Sequence, residues 1–314
     1  MSIAQRLADS ALINPGSDRV RSVAGLARRS ARSRAGRFLA EGPQCVREAL
    51  RAHLGEFDAL VPSARDGVID ALYITEHALG RHPDIDQLVE RVLQSEGSPR
   101  VFVRLVSDEV LAAMSDAEHP QGVLAVCRIS EPRWAQVAER RPRLVAIMCR
   151  VQDPGNAGTV LRAADAAGAD AVVLTAGSVD LHNPKVVRST AGSLFHLPVL
   201  TGLDPDELIG FAGSDAEGAD LQILAADGYG ALDLDALQDA SATGREAPAE
   251  LSRPTAWLFG NEAQGLSEQE KALASHRVAV PLHGAAESLN VGTAATLCLY
   301  ASARAQRRID RDGA

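Results

Sequence analysis

Lysine is nearly absent from this chain of 314 residues: of its 32 basic side chains only Lys185 and Lys271 are lysines, and the others are arginines. Aromatic residues are scarce as well, at 4%. The four cysteines, Cys45, Cys127, Cys149 and Cys298, lie far apart and form no C-x-x-C pair. Neither a zinc knuckle nor a redox dithiol is therefore expected, and the thiols read as small buried hydrophobes of a reducing compartment. Apolar runs are broken by Asn, Gly or charge well before the ~20 residues that a bilayer span requires. The first twenty residues carry acids early and lack a basic-then-apolar export pattern. The expectation is a cytoplasmic protein with no membrane partner and no metal. What is present, 46% apolar and 23% charged residues, argues against disorder and suffices for two cores.

A formal net charge of −9 at first opposes a nucleic-acid partner. The charge is unevenly distributed, however. Residues 201–252 hold twelve acids and one Arg, whereas residues 1–37 hold eight Arg and two Asp. Within that basic end Arg28, Arg29, Arg32, Arg34 and Arg37 fall in ten residues free of acid. They form either a solvated helix face or a surface for RNA phosphates.

Strand and helix signals alternate along the chain, which predicts an α/β protein. Strands are expected at 37–42, 71–75, 101–106 and 122–129, with helices at 44–52, 85–93 and 108–114, giving a first domain over 1–130. The Pro- and charge-rich segment 131–143 reads as a linker or connecting helix. A second domain over 144–314 is expected to hold strands at 144–149, 171–175, 221–226, 255–259 and 278–281. Its helices are expected at 159–167, 185–191, 205–211 and 289–307. The Gly-, Ala- and Asp-rich stretch between 226 and 255 lacks periodicity and is expected to be a loop. Such alternation favours a mostly parallel sheet covered on both faces.

Three segments carry chemistry. In Val151-Gln152-Asp153-Pro154-Gly155-Asn156-Ala157-Gly158-Thr159-Val160-Leu161-Arg162 a strand passes through a Pro-Gly turn into a helix, with Asn156 or Thr159 as the expected cap. Arg162, a turn inside that helix, is either a surface Arg or a fork for a substrate phosphate. The spacing is not the G-x-G-x-x-G of a dinucleotide site, which weighs against a dehydrogenase. In Leu258-Phe259-Gly260-Asn261-Glu262-Ala263-Gln264-Gly265-Leu266 an apolar strand again breaks into Gly and polar residues, so the backbone can approach a ligand. Glu262 there either orients an Arg or hydroxyl or serves the start of the next helix. The third, Val280-Pro281-Leu282-His283-Gly284-Ala285-Ala286-Glu287-Ser288-Leu289-Asn290-Val291-Gly292, is a loop in which Ser288 is the expected cap of a last helix. That helix is expected to bury Val291, Ala294, Ala295, Cys298 and Ala301. His283 has no partner at metal-ligand spacing and reads as incidental.

Together these segments resemble the three ordered motifs of the SpoU (TrmH-like) family of RNA ribose 2′-O-methyltransferases, of the SPOUT class. The stretches 179–188 and 192–198 resemble the same family. Phe38-Leu39-Ala40-Glu41-Gly42 and Pro120-Gln121-Gly122-Val123-Leu124 resemble its ribosomal-protein-like substrate-binding domain. The resemblance spans residues 12–305, and the two-domain layout is similar to members acting on ribosomal RNA, including the thiostrepton-resistance type. It implies a catalytic domain with a deep trefoil knot, a homodimer, and S-adenosyl-L-methionine held by Leu258, Phe259, Gly260, Val280, Leu282, Ser288 and Leu289. It also implies methyl transfer to a ribose 2′-hydroxyl, in 23S ribosomal RNA before transfer RNA. The implied catalytic residues are Arg162, which activates the hydroxyl, Asn156 and Asn290, which hold the loop and ribose, and Glu262, which orients Arg162 or its surroundings. The basic N-terminal arginines would hold RNA. A non-catalytic RNA-binding protein is the remaining alternative.

Overall fold

A computed structural model describes residues 3–57, 67–95, 99–204 and 220–312, together with Glu207 and Gly210. The chain divides into two compact units, Met1–Ser130 with Asp180–His196, and Glu131–Val179 with Leu197–Ala314. Of the expected helix over 205–211 only Glu207 and Gly210 are among the described residues, and the rest lies outside them.

The helices of the first unit that precede position 131 are α1 (Ile3–Leu7), α2 (Asp18–Gly25), α3 (Arg29–Ala35), α4 (Pro43–His53), α5 (Glu76–Arg81), α6 (Pro83–Gln94) and α7 (Asp108–Met114). Its strands are β1 (Arg37–Glu41), β2 (Ile69–Ile74), β3 (Phe102–Leu105) and β4 (Val123–Arg128), in the order β1-β4-β2-β3. β4 runs antiparallel to both neighbours, and β2 is parallel to β3. Ser17, Thr75 and Ser107 cap α2, α5 and α7 through hydroxyls that accept a main-chain N–H. The apolar positions of α2 and α7 close over Leu39, Tyr73 and Leu124 as one core.

Two of the arginines expected to face RNA are structural in this unit. Arg32 is 3% exposed, and its guanidinium donates to the carbonyls of Leu26 (2.9 Å) and Ala27 (2.7 Å) and to Asp180. Arg37 forks onto Asp70 at 2.9 and 3.2 Å, sharing that carboxylate with Arg128. Arg28, Arg29 and Arg34 are exposed. A run of like charges does not say which member turns inward; a helix face and a half-buried carboxylate decide it.

The segment 180–196, assigned by chain order to the second domain, clusters with the first unit instead. It contributes α10 (Pro184–Ser189), which lies against β1, and Arg188 from it donates to the buried Glu41 at 3.1 Å. The His182 ring stands 4.7 Å from that of Phe38, and burial pushes its pKa down to about 4.

In the second unit the earlier helices are α8 (Trp134–Ala138), inside the expected linker, and α9 (Pro154–Ala167). After α10 in chain order come α11 (Leu234–Thr243), α12 (Glu268–Leu273) and α13 (Val291–Asp312). The strands are β5 (Leu144–Met148), β6 (Ala171–Thr175), β7 (Val199–Leu203), β8 (Gln222–Ala226), β9 (Leu232–Asp233), β10 (Thr255–Phe259) and β11 (His276–Ala279). They form one parallel sheet in the order β7-β6-β5-β10-β8-β11-β9. Every residue of β5, β6 and β10 is buried, as continuous apolar runs require of strands covered on both faces. The 226–255 stretch is not all loop, because Asp233 caps α11 by accepting from Ala236 N at 3.0 Å. No helix among the described residues is long and apolar enough to cross a membrane.

Candidate active site

From β5 the chain proceeds outward to β6 and β7, and the later strands fill the other side of the sheet. The direction of travel reverses between β5 and β10, and a crevice at the carboxyl ends of the strands is the expected ligand position at such a switch. All three motif segments leave from there: 149–156 after β5, 260–266 after β10, and 280–290 after β11.

The first segment turns into α9 earlier than expected. Pro154 takes the first helical position and Asp153, rather than Asn156 or Thr159, is the cap, accepting from Asn156 N at 2.8 Å. Asn156 thereby keeps its side chain for other partners. Glu262, from the loop after β10, accepts from Gln152 N (3.2 Å), Asp153 N (3.1 Å) and Asn156 Nδ2 (3.1 Å). Burial pushes the Glu262 carboxyl up, but its own main-chain N–H, Asn156 and the two other amides outweigh this and hold it below the usual carboxylate range. Two main-chain N–H groups just ahead of the helix, one of them the cap's own, are thus satisfied by an acid from the loop of a different strand.

Asn290 closes the cluster from the third segment. Its Nδ2 donates to Asn156 Oδ1 at 2.8 Å, while its Oδ1 accepts from Gly292 N at 2.8 Å and its carbonyl from Ala294 N at 3.0 Å. Asn290 therefore caps α13, not Ser288, which lies exposed two residues before it. A Cβ at Gly292 would stand 2.7 Å from Thr159 Cγ2, so the glycine lets α13 approach α9. Further along, Arg307 Nη2 donates to Ala167 O at 2.9 Å and Trp257 Nε1 to Ser302 Oγ at 2.9 Å.

The loop after β10 is a narrow turn closed by reciprocal bonds between Asn261 and Gly265 (3.1 and 2.8 Å), with Gly265 at φ 65°. A Cβ at Gly260 would meet the Gly265 carbonyl carbon at 2.4 Å, which restricts that position to glycine. Arg150 fastens this turn to the loop after β5. Its guanidinium grips Glu270 at 2.8 and 2.7 Å and donates to Gln264 Oε1 and Gly265 O, both at 3.2 Å, while its own carbonyl accepts from Asn261 Nδ2 at 2.8 Å. Glu270 is 1% exposed, so the pair is desolvated on the acid's side. Arg150 adopts φ 55°, unusual for a residue with a side chain. Neither residue was foreseen. Ser267 and Glu270 spell a capping box that marks the start of α12, but nothing local announces a partner 120 residues away.

Of the expected catalytic residues, Asn156, Glu262 and Asn290 are brought together. Arg162 is not joined to them: it is exposed on α9 and makes no hydrogen bond or ion pair among the described residues. Glu262 accordingly orders the surroundings, not Arg162 itself. Among the expected cofactor residues, Leu258 and Phe259 are buried within β10 and Gly260, Val280 and Leu289 are half-buried. Leu282 is 40% exposed. No main-chain group of residues 281–289 is hydrogen-bonded within the chain, among the described residues. His283 stands exposed, 3.6 Å from Asp235. All four cysteines are buried free thiols; burial pushes them up, Cys45 and Cys298 to about 12, so none is poised as a nucleophile.

A parallel sheet with ligand loops gathered at its switch point, cross-linked by an Asn-Glu-Asn cluster, defines a small-molecule-binding α/β domain. The family model of the SpoU rRNA methylases matches residues 143–300, and that of an MRM3-like substrate binding domain matches residues 17–125. The chain belongs to the SpoU rRNA methylase family. It is 33% identical over 272 residues to the 23S rRNA (guanosine(2553)-2′-O)-methyltransferase RlmP of Bacillus subtilis, covering 86% of this chain and 89% of that one. To the 23S rRNA (uridine(2479)-2′-O)-methyltransferase of Streptomyces viridochromogenes it is 31% identical, over 65% of this chain and 70% of that one. The crystal structure of the SpoU methyltransferase AviRb from Streptomyces viridochromogenes, in complex with AdoMet, superposes with a TM-score of 0.72 at 27% identity. That match covers 93% of this chain and 98% of the other.

Proposed function

We propose that the protein transfers a methyl group from S-adenosyl-L-methionine to a ribose 2′-hydroxyl of 23S ribosomal RNA. The observation that carries this reading is the Asn156–Glu262–Asn290 cluster, which joins three segments of family-motif sequence at the carboxyl ends of β5, β10 and β11. The cofactor, when bound, supplies a sulfonium methyl open to in-line displacement. Features of the chain fit such a group: free main-chain donors and acceptors over 281–289 to meet an adenine edge, the exposed Leu282 and half-buried Leu289 as apolar walls, and a tight turn at Gly260.

Arg162, unpartnered on α9, is the residue that meets RNA at the reacting centre. A guanidinium does not act as a simple base, because it holds its proton throughout the range in which proteins work. Arg162 holds the phosphate next to the target ribose and stabilises the alkoxide that develops there, with the hydroxyl proton passing toward that phosphate. Asn156, fixed by Glu262, and Asn290, which donates to Asn156, hold the loop that positions the ribose.

Residues 1–130 serve as the substrate-binding domain, with 180–196 folded onto them, 131–143 as the connection, and the rest of 144–314 as the methyltransferase domain. Arg28, Arg29 and Arg34 are the exposed cations of the first available to phosphates. The chain between β11 and α13 passes through the preceding loop as a deep trefoil knot. In support, β11 lies toward one edge of the sheet while α13 packs back against β5 and β10 at its centre. The protein acts in the cytoplasm as a homodimer, in keeping with Leu297 and Tyr300, 44% and 48% exposed on α13.

The test is methyl transfer from labelled S-adenosyl-L-methionine to an unmodified 23S rRNA transcript, with the 2′-O-methyl position mapped. Arg162→Ala is expected to lower kcat about 100- to 1,000-fold with cofactor affinity unchanged. Near-wild-type transfer by that variant would overturn the assignment of Arg162, and no transfer by the wild type to any ribosomal RNA would overturn the function.

A further inference from the structure

Strand β8 lies between β10 and β11 and parallel to both, with Ala226 level with Phe259 on one side and Val278 on the other. Neighbouring strands are about 4.8 Å apart. The loop that leaves β8 therefore emerges between the 260–266 turn and the 280–290 segment, the two parts of the crevice expected to hold the cofactor. That loop is Asp227-Gly228-Tyr229-Gly230, and it is fastened to β11. Asp227 N donates to Val278 O (3.0 Å), Gly230 N to Asp227 O (2.8 Å) and Tyr229 N to Asp227 Oδ1 (3.0 Å), while Arg277 Nη1 reaches Asp227 Oδ2 at 3.4 Å. A Cβ at Gly230 would lie 2.7 Å from the main chain of Arg277 and Val278, so the turn presses directly on the strand.

At the tip of this rigid turn Tyr229 is 92% exposed, more than any other large hydrophobic residue among those described. The other two tyrosines are engaged: Tyr73 is buried and accepts from Arg19, and Tyr300 donates to Ala166 O at 3.3 Å. A ring held with its faces in water, in a chain with so few aromatics, is what a stacking platform requires. An enclosed adenine needs a covered pocket instead. A protein partner needs a contiguous apolar patch, and the neighbours of Tyr229 in the turn are two glycines. The acids nearest to Tyr229 in sequence are engaged, Asp227 by Arg277 and Asp233 by the first turn of α11. Arg277, 43% exposed, balances the Asp227 carboxylate beside the turn.

We infer that Tyr229 stacks on an unpaired base of the RNA substrate beside the methylated ribose, and so positions that ribose over the crevice. This rests on the proposed ribose methyl transfer. The test compares Tyr229→Ala, Tyr229→Phe and Tyr229→Trp with the wild type, using an unmodified 23S rRNA transcript in filter binding and in steady-state transfer. Base–aromatic stacking predicts that Tyr229→Ala weakens RNA binding and raises the KM for RNA roughly 5- to 100-fold. Its kcat should move less than KM, its cofactor affinity and thermal midpoint should stay at wild-type values, and Phe or Trp should restore RNA affinity. Wild-type RNA affinity in Tyr229→Ala overturns the inference. So does a Phe or Trp variant as defective as Ala, or a loss confined to cofactor affinity, which would assign the ring to the cofactor. If the wild type binds the transcript without methylating it, the functional reading fails while the binding comparison still judges Tyr229.

Discussion

Glu262 contacts only donors: two main-chain amides at the start of α9 and the Asn156 amide. Its charge is therefore worth more folded than unfolded. Because the folded pKa lies below the ordinary value of 4.5, the stabilisation is fully present above that value. It is lost as pH falls from there through the folded pKa. Glu262→Gln should remove this part of the acid-side stability loss, flattening the unfolding midpoint against pH below 4.5, and should weaken methyl transfer by loosening Asn156. Thermal melts of both proteins across the acid range check the first effect, and an unaltered slope in the variant would assign the loss to other carboxylates. Arg32 shows the opposite lesson at the same scale. Its neighbours in sequence suggested a phosphate contact, yet Asp180 and two carbonyls take it into the first unit, and no property of an arginine by itself distinguishes the two fates.

Among the elements, the pairing of α9 with α13 carries the site. Asn156 lies in the first turn of one helix and Asn290 immediately precedes the other, so any change in their spacing moves both amides. Gly292 sets that spacing by admitting Thr159. Gly292→Val would overpack the contact, and overpacked interiors typically lose about 1–3 kcal/mol. The expected outcome is a lowered thermal midpoint and loss of methyl transfer at temperatures where the variant is still folded. Combination with Thr159→Ala, which removes the Cγ2 that a new Cβ would strike at 2.7 Å, should recover part of both. Failure of that double variant to recover either would mean that the Thr159 methyl is not what excludes a side chain at Gly292. Arg150 is the second fastening at this scale, binding the β10 turn to the segment after β5 through a buried acid on α12.

At the scale of the whole molecule, the α13 face bearing the exposed Leu297 and Tyr300 is the one that a second copy covers in the proposed homodimer. A stable interface needs about 1,200–2,000 Å² in total. The wild type is expected to sediment as a dimer at micromolar concentration. Leu297→Arg should sediment as a monomer with an unchanged circular dichroism spectrum and lose methyl transfer; a fully active wild-type monomer would remove the dimer from the mechanism. The parallel sheet and the three motif segments were legible in the sequence because their signals are local. Leu144–Met148, Ala171–Thr175 and Thr255–Phe259 are apolar runs buried throughout, and the first two motifs break the first and last of them with Gly, Pro or Asn. Helix starts were legible only to within several residues, since Asp153, Asn156, Thr159, Ser288 and Asn290 are all competent caps and the neighbouring strand loops chose among them. The sequence by itself thus determined the class of fold and which segments reach the site. Tertiary structure decided the partner of each polar group: Glu262 on α9, Arg150 on Glu270, Arg32 on Asp180, and Tyr229 left in water on a fixed turn. The physical reason is that strand and turn preferences are properties of short stretches of chain. A hydrogen bond between residues more than a hundred positions apart exists only once the sheet order has been set.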